Sequence, residues 1–229
     1  MSEERAGEEL LAAIQAGDLE AAAQCLASDQ DGAAAQAADE QGVRLLLLVF
    51  YHRQPEIAAL IADARERLGL PFDVFEAAVL GRSDRIEELI DAGDVEVGSR
   101  SPDGFSLLHL ATFFGQGEVF RFLLERGADV HVVAENPTRV QPLHSAAAIR
   151  SVELCEQLLE AGAGVNARQA GGFTPLMSAA MAGDRELVDL LLAHGADATL
   201  VAEDGKAARD LAAAAGHESL LPLLGTTEG

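Results

Sequence analysis

One property of this sequence constrains its fold more than any other: the chain repeats itself at an interval near 33 residues. GFSLLHLA at 104–111, VQPLHSA at 140–146 and GFTPLMSA at 172–179 align so that Ser106, Gln141 and Thr174 correspond, at intervals of 35 and 33 residues. A second landmark moves in step, because Gly127-Ala128-Asp129, Gly162-Ala163-Gly164 and Gly195-Ala196-Asp197 each follow a Leu-Leu pair. A further step of 33 takes Thr174 to Ala207 and Gly183 to Gly216. A unit this short cannot bury its apolar face alone, so a chain built from such units is stable only if they stack.

Residues 174–195 show what one unit is. Pro175 suits the first turn of a helix, where its missing N–H costs nothing, and Thr174 can cap it. Leu176, Ala179 and Ala180 form an inward face. Gly183 ends this helix and Gly195 the next, because a left-handed backbone is cheapest at glycine. Between them Leu187, Val188, Leu191 and Leu192 recur at helical spacing. The upstream chain repeats the plan more loosely. Glu76 to Gly81 lies 34 residues before Leu110 to Gly115, residues 42–57 carry two helical stretches, and Leu10 to Leu26 carries two more around Gly17-Asp18. The count is about seven helix pairs. Arg53 and Arg150 stand where the other units place the helix-ending glycine, at a cost of about 1 kcal/mol if the turn keeps its left-handed form. The segment 134–140 is two residues longer than its counterparts and contains Pro137, which predicts an irregular loop.

The period and the Thr-Pro-Leu-His-x-Ala pattern resemble the ankyrin repeat family, strongly over 101–200 and moderately over 201–224, where Ala207, Ala208 and Arg209 replace Thr, Pro and Leu. Tetratricopeptide arrays have a similar period, but their landmarks are absent and the Gly-Ala-Asp turns are foreign to them. The resemblance implies an all-α ankyrin-repeat solenoid of stacked helix-turn-helix units with short finger turns. Three stretches are expected along it: 1–100 degenerate helix pairs with an acidic N-terminal cap, 101–200 three recognisable repeats, and 201–229 a C-terminal capping repeat and tail. It also implies that His109 and His144 hydrogen-bond the turn and the adjacent repeat.

By the same resemblance, a partner protein is recognised on a concave face made of finger tips and first helices. The corresponding finger positions are Pro102, Asp103 and Phe105, then Glu135 and Arg139, then Ala170, Gly171 and Phe173, then Glu203, Asp204 and Lys206. The first-helix positions are Phe113, Phe114, Ala148, Ile149, Met181 and Ala182. Phe105, Phe113, Phe114, Ile149, Phe173 and Met181 would form an apolar strip of the kind found at binding sites.

Charge narrows the choice of partner. Asp and Glu number 38 against 16 Lys and Arg, a formal net charge of -22. Such a surface repels phosphate backbones and anionic headgroups, so nucleic acid and membrane are excluded as first choices and a basic protein surface is favoured. Residues 1–40 alone carry ten acidic side chains against Arg5. The start, MSEERAGEEL, lacks the positive and apolar stretches of an export signal. The apolar run from Leu45 to Tyr51 is far too short to span a bilayer. Cys25 and Cys155 fit neither a metal spacing nor a disulfide scaffold, so a cytoplasmic, monomeric protein is expected. One lysine against fifteen arginines, with abundant alanine, associates with GC-rich bacterial coding sequences.

No histidine has a Cys or carboxylate at ligand spacing, and no nucleophile elbow, phosphate loop or zinc motif occurs. The expectation is a non-enzymatic protein with no cofactor and no metal. Two alternatives remain: a regulator with its own small-molecule or metal site, and a self-assembling scaffold joined through an exposed run at Leu220, Leu221, Leu223 and Leu224.

Overall fold

The structure, a computed structural model, describes residues 3–225 and the side chains of 5–225. Its helices come in pairs: α1 (Glu3–Ala16) with α2 (Leu19–Ser28), α3 (Leu45–Tyr51) with α4 (Pro55–Leu68), α5 (Val74–Leu80) with α6 (Ser83–Asp91), α7 (Leu107–Phe113) with α8 (Gly117–Glu125), α9 (Pro142–Ala148) with α10 (Val152–Glu160), and α11 (Pro175–Met181) with α12 (Arg185–Ala193). In the seventh pair α13 (Ala208–Ala214) is followed by a single 3-10 turn, Glu218–Leu220. Among the described residues there are no strands, only two isolated antiparallel bridges, Ala38 with Arg44 and Val201 with Ala207. The fold is all-α with the expected seven pairs. The chain divides into two compact units: the first runs to Glu96 and includes Arg100–Asp103, and the second comprises Val97–Ser99 and Gly104 onward.

In the second unit each local feature has a readable cause. Ser106 accepts the amide of His109 at the start of α7, and Thr174 that of Met177 at the start of α11. Pro142 and Pro175 open α9 and α11. The turn after each first helix is left-handed, at Gly115 (φ 68°), Gly183 (70°) and Gly216 (81°), and Arg150 adopts it too at 59°. The turn is therefore kept, not rebuilt. Arg150 gains a contact in exchange, its Nε lying 2.8 Å from Oδ2 of Asp184, the N-cap of α12. Second helices bury Val119, Phe120 and Leu123, then Leu154, Cys155 and Leu158, then Leu187, Val188 and Leu191. Leu192 differs from expectation in lying half-exposed.

At the end of this unit the expected exposed leucine run is corrected. Leu220 and Leu224 are buried, and Leu221 and Leu223 half-buried. Arg209 folds the segment back by donating to the carbonyls of Leu221 and Gly225. The tail beyond Gly225 lies outside the described residues.

The first unit is less regular. Asp18 caps α2 through the amide of Ala21. The loop after α2 is organised by a buried carboxylate, since Asp29 accepts the amides of Ala34 and Ala35. Arg53 ends α3 at φ 54°. The link between α4 and α5 spans only 69–73 and makes no finger. A buried ion pair fills its base: the Arg65 and Glu76 side chains are 2% and 1% exposed, and Arg65 Nη1 donates to Glu76 Oε1. Arg65 also donates to Pro71 O and lies 5.0 Å from the centroid of Phe72, whose ring Arg82 approaches at 5.8 Å. Glu76 Oε2 accepts the Asp73 amide at 2.8 Å. Burial, outweighing the opposing pull of Arg65, pushes the Glu76 carboxyl up to about 7.

Candidate partner-binding face

In the second unit the fingers form a ladder of backbone hydrogen bonds. Glu135 N donates to Gly104 O, Ala170 N to Thr138 O and Glu203 N to Gly171 O, each at 2.9 Å. The approach is close enough that a Cβ on Gly104 would meet Glu135 O at 2.5 Å. Below the ladder, each signature histidine ties its helix to the following repeat. Its Nδ1 accepts a backbone N–H, from Ser106 to His109 and from Gln141 to His144. The Nε2 atom therefore carries the proton and donates: His109 to Val140 O at 3.0 Å, His144 to Ala167 O at 3.1 Å and Phe173 O at 3.3 Å. Burial holds the His144 imidazole below its ordinary pKa, so it stays neutral and keeps this tautomer. The role implied by the resemblance is the role observed.

The first helices α7, α9, α11 and α13 pack in sequence. The last residue of α7 is Phe113 and that of α11 is Met181, and both are exposed, at 36% and 49%. Phe114 is half-buried and stands edge-on to Phe113 with centroids 5.1 Å apart. Ile149 is half-buried and Ala148 exposed.

Of the finger residues, Phe105 is half-buried with its ring edge against His109, at 5.9 Å. Phe173 is half-buried and contributes its carbonyl to His144. Glu135 is exposed and held through its amide. Arg139 is exposed at φ 50°. Lys206 is exposed, with Nζ 2.7 Å from Asp204 Oδ2, and this contact lowers the Asp204 carboxyl.

Asp103 is grouped with the first unit. There it is half-buried, accepts the Ser101 hydroxyl and faces Tyr51, whose hydroxyl is held above its ordinary pKa by burial and then by that carboxylate. Pro102 lies beside Gly42 in the same unit. A feature that sequence reasoning missed is Val201, 45% exposed in the last finger, with Arg168 Nη2 donating to its carbonyl at 2.6 Å. Its signal was weak, because an apolar residue two positions before a turn reads as packed.

Among the described residues no group of three or more His, Cys, Asp and Glu is arranged to hold a metal, and no helix is long and apolar enough to cross a membrane. Both cysteines are free and buried. Burial, with a contribution from Asp184, pushes the Cys155 thiol up to about 12, which makes it a poor nucleophile.

Comparison with known proteins agrees with this architecture. The family described as "Ankyrin repeat" matches residues 103–135, and "Ankyrin repeats (3 copies)" matches 143–227, together more than half of the chain. Human diacylglycerol kinase iota is 36% identical over 77 residues, covering 33% of this chain and 7% of the kinase. The mouse B-cell lymphoma 3 protein homolog is 30% identical over 145 residues, 63% of this chain and 27% of that protein. Human DNA-binding protein RFXANK is 39% identical over 62 residues, 27% of this chain and 24% of that protein. The chain thus spans less than a third of the length of each of these relatives. With the helix pairs, the finger ladder and the histidine ties in place, the chain belongs to the ankyrin repeat family, whose repeats generally mediate protein–protein interaction.

Proposed function

We propose that this protein is a non-enzymatic interaction module that binds a basic protein surface through the finger-and-first-helix face of its second unit. The observation that carries this reading is the pair of exposed apolar side chains, Phe113 and Met181, at equivalent helix ends on either side of Ile149. Apolar side chains in such a row supply affinity, and the negative charge of -22 supplies steering, which acts on association rate more than on affinity. Residues 1–100 serve as degenerate, acidic N-terminal pairs, 101–200 as the recognition repeats, and 201–229 as the C-terminal cap, for which the Arg209 contacts give a physical means. The cytoplasm and a monomeric state belong to the same proposal. The alignment to the kinase covers too little of that enzyme to support an activity here.

The test takes the partner recovered by affinity capture from the native host and measures binding of Phe113→Ala and Phe173→Glu variants at several salt concentrations. Both variants weaken binding, Phe113→Ala by about tenfold, and association slows with salt. Unchanged affinity in both variants overturns the assignment of this face.

A further inference from the structure

The chain has fifteen arginines. Among the described residues Arg53 and Arg139 are the ones whose guanidinium groups have no partner; both are exposed and both have positive φ, 54° and 50°. The third left-handed arginine, Arg150, sets its ion pair with Asp184 against the backbone cost. That cost is about 1–2 kcal/mol for a residue with a Cβ. The equivalent finger positions avoid it with Gly42, Gly104, Gly172 and Gly205, at φ 84°, 85°, 75° and 80°.

Arg139 is therefore an arginine in a glycine turn, and among the described residues its guanidinium has no hydrogen bond, ion pair or ring contact that rewards it. The turn does not yield around it either. Asn136 accepts the Thr138 amide and hydroxyl through its side chain and the Arg139 amide through its carbonyl, and the two neighbouring fingers are bonded to Glu135 and Thr138. This finger is also two residues longer than those that follow, 126–141 against 161–174 and 194–207. Backbone strain that a rigid surround maintains without internal compensation points to a role outside the fold. Arg53 has the same strain but belongs to the first unit, whereas Arg139 belongs to the unit with the exposed Phe113 and Met181.

A guanidinium pairs two-pronged with a carboxylate or a phosphate. The overall charge of -22 disfavours a polyphosphate and leaves a single carboxylate within a basic surface as the fitting ligand. Resting on the function proposed above, we propose that Arg139 recognises a carboxylate of the partner, from an acidic side chain or a chain terminus, in a segment whose apolar side chains rest on Phe113, Phe114 and Ile149.

Three short fluorescent peptides on a common Leu/Phe/Lys background serve as probes: an internal Glu with an amidated end, an internal Gln with an amidated end, and the Gln peptide with a free carboxyl terminus. Binding to the full chain is read by polarisation and by amide and arginine Nε–H shift mapping. One carboxylate peptide binds about tenfold tighter than the Gln amide, shifts the Arg139 Nε–H signal, and loses that advantage in Arg139→Gln; which peptide does so tells side chain from terminus. Equal or absent binding of all three, or an advantage that survives Arg139→Gln, overturns the inference. Shifts that then still centre on Phe113 and Ile149 leave the binding face standing, and shifts elsewhere remove that reading too. Arg139→Gly separates recognition from folding, because it melts at a slightly higher temperature yet loses the same advantage.

Discussion

The two units of this protein solve one problem, stacking helix pairs, by different chemistry. The second unit uses repeated, largely backbone devices: a finger ladder, and neutral histidines that donate to the next repeat's carbonyls. The first uses single, unrepeated side chains, of which the buried Arg65–Glu76 pair at a finger-less link is the most consequential. Backbone devices tolerate substitution between them, so they leave a periodic signature. A bespoke ion pair leaves none, and the family match accordingly begins at residue 103.

The comparison breaks most visibly at Glu76. Glu76→Ala removes the oxygen that accepts from the buried Arg65 guanidinium, an acceptor that the carboxyl keeps even when protonated, so it should destabilise the first unit by about 3–5 kcal/mol, read by hydrogen exchange in α4 and α5. Replacing both members with apolar residues of similar volume should restore most of that loss. A small effect of the single substitution would mean that the pair is not what closes this link. The matching lesion in the second unit is His144→Leu, which takes the His144 partner from Ala167 O and Gln141 N, while Phe173 O keeps the Gln169 amide. It should cost about 1–3 kcal/mol, seen in α9 and the following finger.

Acidity sharpens the contrast by moving the two units in opposite directions. The Glu76 carboxyl is raised from 4.5 to about 7, so the folded state binds its proton more tightly, and this contribution is full below 4.5 and lost as pH rises through 7. The His144 imidazole is lowered from 6.5, so its contribution is present above 6.5 and lost as pH falls below it. Between pH 8 and 5.5, protection in α5 should rise and protection in α9 should fall. Glu76→Gln should flatten the first change and His144→Gln the second, and parallel responses in both variants would remove the distinction.

The smallest effects concern the left-handed arginines. Arg53→Gly should stabilise by about 0.5 kcal/mol, the relief of strain being partly offset by the greater freedom of the unfolded chain. Arg150→Gly should be near neutral, because the exposed Arg150 also loses Asp184. Thermal melts of the two variants decide whether that ion pair offsets its turn.

Most of the second unit could be read from residue types, since Pro175, Gly183, His144 and the Leu-Leu pairs each have one physical use at their spacing. Arg65 and Glu76 could not, because charges on a helix ordinarily read as solvated, and their burial depends on a link too short to form a finger. The surroundings of Asp103 were illegible for a related reason: residues 100–103 belong to the first unit, where Pro102 lies beside Gly42 and the Asp103 carboxylate accepts the Ser101 hydroxyl and faces Tyr51. The leucines near the C-terminus looked open because the Arg209 contacts that fold them back come from another element.

The binding face itself is tested most directly by hydrogen exchange of the full chain, alone and saturated with its captured partner. The account predicts new protection in the fingers and first helices of the second unit, around residues 104–115, 135–150 and 170–182. Protection confined to the second helices α8, α10 and α12 would contradict it.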